Sequence, residues 1–404
     1  MTSEVASFID DVPDRARQPV VLQVLPRLAT GGVERGTIDV AIALAEAGWT
    51  PLVASAGGPM VRELDRAGIE HVTLPLHSKN PLVMRANVGR LEAVIRRRGV
   101  DILHARSRAP AWSALWAARR AGCHFVTTFH GTYNDGWLGL KKRYNAVMTR
   151  GERVIAISQF IAEHVRTEYG AGPERVRVIH RGVDLDRYDP ARVSNERLIQ
   201  LARQWRLPDD APVVMLPGRL TRWKGQAVLI EAMALLGRRD LRCLLVGSDQ
   251  GRSGYRAELE ELVRRRELGD VVHIAGDCND MPAAYKLADV VVSASTDPEA
   301  FGRVAVEAQA MGRPVVASNH GGARETVLPG ITGWLSRPGD AVSLAAALNS
   351  ALAMNGYQRD RMAAAGMEYV RRHFSRELMC AHTLELYADV LAGQSPAAPD
   401  IEAV

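Results

Sequence analysis

The chain has 404 residues, enough for two or three domains, of which 47% are hydrophobic, 24% charged and 5% aromatic, the make-up of an ordinary globular protein with a large core. Its four cysteines (Cys123, Cys243, Cys278, Cys380) are far apart, which excludes a disulfide framework or paired zinc spacing and points to core positions in a reducing compartment. The net charge of +5 is uneven: residues 1–190 carry 26 Lys and Arg against 20 Asp and Glu, and the remainder 25 against 26, so a basic first half faces a near-neutral second. That asymmetry suits an anionic acceptor or an anionic membrane surface, and equally a solubility role.

Residues 1–19 carry Glu4, Asp10, Asp11 and Asp14 with no apolar stretch of useful length, so they read as a disordered lead-in and as neither a signal peptide nor an anchor. No stretch approaches the roughly 18 consecutive apolar residues of a spanning helix. Residues 20–25 form a first apolar strand, a turn containing Gly31 and Gly32 follows, and a helix runs from about 34 to 47. The glycines do not fit G-x-G-x-x-G, which argues against a nicotinamide or flavin enzyme. Strands at 51–55, 69–74, 102–105, 125–129 and 154–157 alternate with helical patterns, the sign of a doubly wound parallel sheet. The helix over 85–98 puts Val88, Leu91, Val94 and Ile95 on one face and Arg90, Arg96, Arg97 and Arg98 largely off it, a surface helix. Trp112 and Trp116, one turn apart, read as core packing.

Two strand ends in this half carry chemistry. Arg106-Ser107-Arg108 places two guanidinium groups where they can grip a carboxylate or phosphate. His130-Gly131-Thr132 ends the next strand, and beyond it Tyr133, Trp137, Lys141, Lys142, Arg143 and Tyr144 interleave aromatic and basic groups as an acceptor or lipid-interface lip. The stretch Ile179-His180-Arg181-Gly182-Val183-Asp184 closes the half, and residues 186–212, with Pro190, Pro208 and Pro212, read as the linker region.

The second half restarts with a strand at 213–216, a turn containing Gly218, Arg219, Lys224 and Gly225, and a helix over 226–236. An arginine and a lysine five apart around such a turn converge on a diphosphate. Strands at 242–246 and 271–275 end in Gly247 and Gly276. A further buried strand at 288–293 leads into Asp297-Pro298-Glu299-Ala300-Phe301-Gly302-Arg303, and a helical pattern then carries Glu307. Glu299 therefore sits in a strand-to-helix turn, which in an open parallel sheet lies at the ligand-binding carboxyl edge, with backbone amides from 300 to 303 turned toward an anion. A strand at 313–317, the run Gly321-Gly322-Ala323-Arg324-Glu325, a serine-capped helix over 375–391 and a loose tail at 393–404 complete the chain.

Glu299, Phe301-Gly302 and Glu307 together resemble the signature of retaining glycosyltransferases of the family-4 type, whose architecture, GT-B, has two Rossmann-like domains facing a cleft. The resemblance extends from Gly31 to about residue 392. It implies an α/β fold with an acceptor-side parallel-sheet domain at 20–190, a nucleotide-sugar domain at 191–374, and a last helix at 375–392 crossing back to the first. It also implies roles: Glu307 holds the ribose, Glu299 contacts the donor sugar, and the Phe301, Gly302 and Arg303 amides hold its hydroxyls or phosphate. Arg219 and Lys224 hold the diphosphate and stabilise the leaving group. Gly31 and Gly32 border the donor phosphates, His130 is the active-centre histidine beside the donor sugar, and the backbone around Gly276 reads the nucleobase edge, leaving UDP-, GDP- and ADP-sugars open. Arg181 stands where asparagine is common, and Arg324 where proline is frequent.

The function implied is retaining, metal-independent hexosyl transfer with no cofactor besides the nucleotide-sugar donor. The acceptor is a glycan or lipid-linked glycan, anionic in character, at the cytoplasmic face of the membrane. Lipopolysaccharide core is one such acceptor, since the Arg106-Ser-Arg-Ala-Pro-Ala-Trp stretch looks similar to bacterial core glycosyltransferases; no nucleic acid is expected. A sugar-nucleotide epimerase of the same architecture and a non-catalytic carbohydrate-binding protein are the alternatives.

Overall fold

The structure, a computed structural model, describes residues 17–133, 140–251 and 253–393. Contacts divide the chain into two compact units, one running to Gly182 and resuming at Glu377, the other spanning Val183–Arg376.

The first unit is built on seven parallel strands, β1 (Val20–Val24), β2 (Thr50–Ser55), β3 (Glu70–Thr73), β4 (Ile102–Ala105), β5 (His124–Phe129), β6 (Arg153–Ala156) and β7 (Val176–Val178), in the order β3-β2-β1-β4-β5-β6-β7. Between them run α1 (Gly32–Glu46), α2 (Val61–Arg66), α3 (Pro81–Arg98), α4 (Arg108–Ala121), α5 (Leu140–Asn145) and α6 (Gln159–Tyr169). β1 is buried along its whole length, as expected of a parallel strand covered on both faces. The order reverses between β1 and β4, so the loops leaving these neighbours diverge and open a crevice at the carboxyl edge. β7 is a three-residue edge strand too short to announce itself by periodicity.

α3 buries Val88, Leu91, Val94 and Ile95 and leaves its arginines outside. Trp112 donates its indole N–H to the Tyr144 carbonyl at 3.0 Å. Trp116 corrects the core expectation: it is 46% exposed against the Arg119 guanidinium. The inward face of α4 is instead made of Ala111, Ala114, Leu115 and Ala118, small enough for α3 to pack closely, and Trp116 falls on the outer side of the helix. Arg17, inside the expected lead-in, is tied to Asp101 at 2.7 Å and to the Gly99 carbonyl; residues 1–16 lie outside the described residues.

The last helix, α15 (Arg376–Leu391), completes the core of this first unit. Met379, Cys380, Leu386, Tyr387 and Val390 pack with Val21, Val40, Ile102, Val126, Ile155 and Ile179. A buried polar bolt joins them: His104 of β4 meets the Tyr387 hydroxyl at 2.5 Å through Nδ1 and the Thr128 hydroxyl at 2.7 Å through Nε2.

The second unit has six parallel strands, β8 (Val213–Pro217), β9 (Arg242–Val246), β10 (Val272–Gly276), β11 (Val290–Ser293), β12 (Val315–Ser318) and β13 (Gly333–Ser336), in the order β10-β9-β8-β11-β12-β13. Its helices are α7 (Asn195–Gln204), α8 (Gln226–Leu236), α9 (Ser253–Arg265), α10 (Met281–Leu287), α11 (Arg303–Ala310), α12 (Ala323–Thr326), α13 (Ala341–Leu352) and α14 (Gly356–His373). Here the order reverses between β8 and β11.

The change of unit falls at Gly182 and Val183 rather than at 190 and 191, because the proline-bearing stretch packs onto the second sheet's helices. Arg197 makes a two-bonded ion pair with Asp280 at 2.5 and 2.7 Å, Lys286 donates to the Pro190 and Val193 carbonyls, and the Tyr188 ring packs edge-on against Tyr285. All four cysteines are free. No helix among the described residues is long and apolar enough to cross a membrane.

Candidate active site

In the second unit the two loops at the β8/β11 reversal carry the predicted cations and the first acid. Both loops are locked by glycine. Gly225 has a φ of +73°, and a Cβ there would overlap the Ala294 carbonyl, so the turn after β8 lies directly on the end of β11. From the other side a Cβ on Gly321 or Gly322 would come within 2.5 Å of the Glu299 carbonyl oxygen or the Phe301 Cα, and the Gly322 N–H donates to the Glu299 carbonyl at 2.8 Å.

Held this way, Lys224 and Glu299 meet. The ammonium lies 2.7 Å from Glu299 Oε1, with the two side chains 14% and 13% exposed, and 4.4 Å from the centre of the Trp223 ring. Ser293 and Ser295, at the end of β11, donate to the same carboxylate oxygen. Burial opposes ionisation of Glu299, but the Lys224 charge and the hydrogen bonds from Lys224, Ser295 and Ser293 outweigh it and hold the carboxyl below its ordinary value. Glu299, Ser293 and Ser295 line a pocket with Gly302 and His320, whose Nε2 lies 2.8 Å from the Ser295 carbonyl. Arg219 is exposed one residue after Gly218, with no side-chain hydrogen bond or ion pair among the described residues.

Glu307 belongs to a second cluster on α11. It is 8% exposed, and both its oxygens are engaged: Oε1 by Arg303 at 2.6 Å and Oε2 by the Tyr285 hydroxyl at 2.9 Å. Burial and the neighbouring carboxylate push the Tyr285 phenol well above its ordinary value, so it stays a donor. Gly302, at a φ of +88°, caps the start of this helix. Phe301 is buried, edge-on to Phe374 at 5.5 Å. Gly276 ends β10 with a φ of +76°, beside a register shift against β9, and its carbonyl accepts the Gly247 N–H at 2.7 Å.

In the first unit, Gly31 caps α1 in an extended conformation open to any residue, and the Gly32 carbonyl accepts from Arg181. The other guanidinium nitrogen of Arg181 donates to His130 Nδ1 at 2.9 Å, which leaves the ring proton on Nε2, a buried atom with no hydrogen-bond partner of good geometry among the described residues. Burial, then the charges of Arg181 and Arg106, hold His130 well below its ordinary value and keep the ring neutral.

The expectation that Arg106 and Arg108 stand together at this strand end as a grip for a carboxylate or phosphate is corrected, because the two side chains diverge. Arg106 turns inward, 4% exposed, and donates to Gln23 at 3.2 Å; Arg108 binds Asn145 at 3.0 Å and stacks on the Tyr133 ring at 3.9 Å. The lip is partly tied down as well: Lys142 pairs with Glu168 at 2.9 Å and the Tyr144 hydroxyl donates to the Arg108 carbonyl, while Lys141 and Arg143 are exposed and Trp137 lies outside the described residues. Sequence reasoning missed Ser293, Ser295, Trp223, His320 and Tyr285, none of which carries a pattern beyond its place at a strand end or in a helix. Among the described residues no group of three or more His, Cys, Asp or Glu stands ready to hold a metal.

Comparison with known proteins agrees with this layout. A model of glycosyl transferases group 1 matches residues 199–369, and one of glycosyltransferase family 4 matches residues 30–187. A D-inositol 3-phosphate glycosyltransferase of Salinispora tropica is 31% identical over 403 aligned residues, covering 92% of this chain and 80% of that protein. A glycosyltransferase structure from Rickettsia africae is 38% identical with a TM-score of 0.86, covering 93% of this chain and 99% of its own. Anabaena HepE, solved with UDP and glucose, is 26% identical with a TM-score of 0.78, covering 91% of this chain and 99% of its own. With two parallel-sheet units of the GT-B type and matches across both, the chain belongs to the family-4 glycosyltransferases.

Proposed function

We propose that this glycosyltransferase moves a hexosyl group from a UDP-sugar to a hydroxyl of an acidic acceptor, with retention of anomeric configuration and without a metal ion. The observation that carries the reading is the Lys224–Glu299 pair at the β8/β11 reversal: a cation and a carboxylate held side by side where a parallel sheet binds ligands. Lys224 and Arg219 offset the negative charge growing on the departing diphosphate, the part a metal ion would otherwise play. The bond between the anomeric carbon and the diphosphate oxygen breaks, the carbon becomes oxocarbenium-like, and the acceptor oxygen bonds to it from the same face. The acceptor proton passes to a diphosphate oxygen of the leaving group. Glu299 and the neutral, Nε2-protonated His130 contact hydroxyls of the donor sugar, Glu307 takes the ribose, and the Gly302 and Arg303 amides, with those of Ala300 and Phe301 before them, face the phosphates.

Uridine is favoured over guanosine and adenosine because Anabaena HepE, alike over nearly its whole length, was solved with UDP and glucose. An acidic acceptor is supported by the basic first half and by the name of the Salinispora relative, a glycosyltransferase for an inositol phosphate. A glycan or lipid-linked glycan at the inner face of the membrane, of the lipopolysaccharide-core kind, fits the same charge and the exposed Lys141 and Arg143. Donor class is tested by thermal shift with UDP-, GDP- and ADP-sugars, where preferential stabilisation by a UDP-sugar is expected. Stereochemistry is tested by the anomeric proton coupling of the product; an inverted product rejects the retaining mechanism. Turnover that releases an altered UDP-sugar and no UDP would replace transfer by epimerisation.

A further inference from the structure

The side-chain bonds to Glu299 all fall on one of its two oxygens. Lys224, Ser293 and Ser295 each reach Oε1, while Oε2 takes none among the described residues; with the side chain 13% exposed, Oε2 is the oxygen left for a ligand. The two oxygens of a carboxylate exchange places when the side chain rotates, so an acceptor of fixed direction needs one of them pinned. Ser295 does part of that pinning. It is 2% exposed, and its single hydroxyl proton reaches Oε1 only while the main chain at 295 keeps its orientation.

That orientation is fixed from two other loops. The peptide group between Ser295 and Thr296 is gripped on both sides: the Thr296 N–H donates to the Trp223 carbonyl at 2.7 Å, and the Ser295 carbonyl faces His320 Nε2 at 2.8 Å. A carbonyl only accepts, so the proton is on Nε2. The root of His320 is itself held. Its backbone N–H donates to the Ser318 carbonyl at 2.8 Å, Arg324 donates to the Asn319 carbonyl, and the Gly322 N–H donates to the Glu299 carbonyl. The loop after β12 thus fastens both ends of the 295–299 turn, with a side chain at Ser295 and with backbone at Glu299. The His320 ring is the tie that a substitution removes while the backbone bonds stay.

We propose that His320 and Ser295 are positioning residues for the donor sugar: through the Ser295 carbonyl and hydroxyl they hold Glu299 with Oε1 engaged and Oε2 free to accept from a hydroxyl of the transferred hexose. The inference rests on the transferase reading above, in which Glu299 contacts that sugar, and adds the residues that set the direction of the contact. On that reading UDP alone makes no bond with Glu299. Disturbing the relay from His320 through Ser295 therefore loosens the sugar and spares the nucleotide.

The test is calorimetric titration of the intact chain with UDP and with UDP-glucose and UDP-galactose, taking whichever UDP-hexose binds more tightly and reading the ratio of its affinity to that of UDP. Ser295→Ala removes the hydroxyl, and His320→Phe keeps a ring and loses the N–H. Each is expected to lower the ratio at least tenfold, with UDP itself within twofold of the unaltered chain. His320→Gln, which keeps an N–H of similar reach, is expected to return the ratio to within threefold. Glu299→Gln puts an amide NH2 in place of Oε2 and should lose at least as much as Ser295→Ala. UDP and UDP-hexose weakened alike, a ratio unmoved in Ser295→Ala and His320→Phe, or His320→Gln as poor as His320→Phe would each overturn the proposal. An unaltered chain that binds no UDP-hexose, or a ratio unmoved in Glu299→Gln, strikes the transferase reading itself. A ratio that falls in Glu299→Gln and holds in the Ser295 and His320 variants strikes only this one.

Discussion

Lys224 Nζ and Glu299 Oε1 lie 2.7 Å apart across 75 residues of chain, joining the loop after β8 to the loop after β11. Removing either partner leaves the other charge largely buried and alone. Lys224→Ala is therefore expected to lower the stability of the second unit by about 3 kcal/mol in urea melts and to cut turnover by roughly 10²- to 10³-fold. Adding Glu299→Gln should restore most of the stability and none of the turnover. A double variant as active as the unaltered chain would remove this pair from the reaction.

Arg303 occupies one oxygen of Glu307 and the Tyr285 hydroxyl the other, so a ribose reaching Glu307 must displace the arginine. Arg303→Ala removes that competitor. Uridine, which has a ribose and no phosphate, is expected to bind several-fold more tightly to Arg303→Ala in calorimetry, and at least tenfold more weakly to Glu307→Gln. If uridine affinity ignores both changes, the ribose seat lies elsewhere.

Gly322 has a φ of −65°, which any residue adopts, so its cost on substitution is purely steric: the new Cβ would sit 2.5 Å from the Phe301 Cα. Backbone cannot yield as a side-chain tip does. Gly322→Ala is expected to destabilise by about 1–3 kcal/mol, as overpacking does, and to weaken UDP-sugar binding by shifting the 299–302 loop. Gly330→Ala is the control: there no atom stands near the new Cβ, and its φ of +76° brings backbone strain alone.

Acid should loosen the first unit. Burial holds His104 and His130 well below the ordinary value of 6.5, so between that value and their lower native ones the unfolded chain binds protons that the folded chain does not. Stability is then full above pH 6.5 and falls as pH drops below it, with a limiting slope of about 1.4 kcal/mol per pH unit for His104 alone. Glu299 acts in the same direction at lower pH: its carboxyl is held below the ordinary 4.5, so the stability it adds in the second unit is present above that pH and is lost below it. Melting curves from pH 8 to 4 check the histidine effect, and a flat profile between 6.5 and 5 contradicts neutral burial of both rings.

Lys141 and Arg143 are the exposed cations of the basic lip. Replacing both by glutamate is expected to weaken sedimentation with anionic phospholipid vesicles at low salt severalfold, with no change in melting temperature. Vesicle binding that survives the double change places any membrane contact elsewhere.

Short, largely apolar runs such as Val20–Val24 and Val290–Ser293 already specify strands buried on both faces and hence a parallel-sheet protein in two halves. The sequence likewise marked Arg219, Lys224, Glu299 and Glu307 by residue type and spacing around strand-to-helix turns. It did not reveal which groups pair. Whether Arg106 faces solvent or the interior, that Arg303 and not a neutral residue covers Glu307, and that Tyr387 of the last helix bolts onto His104 of β4 depend on contacts between distant segments. Local periodicity reports only which face of an element is buried. Partners across a sheet are chosen by strand order and by the side-chain directions at strand ends, and those exist only once the chain has folded.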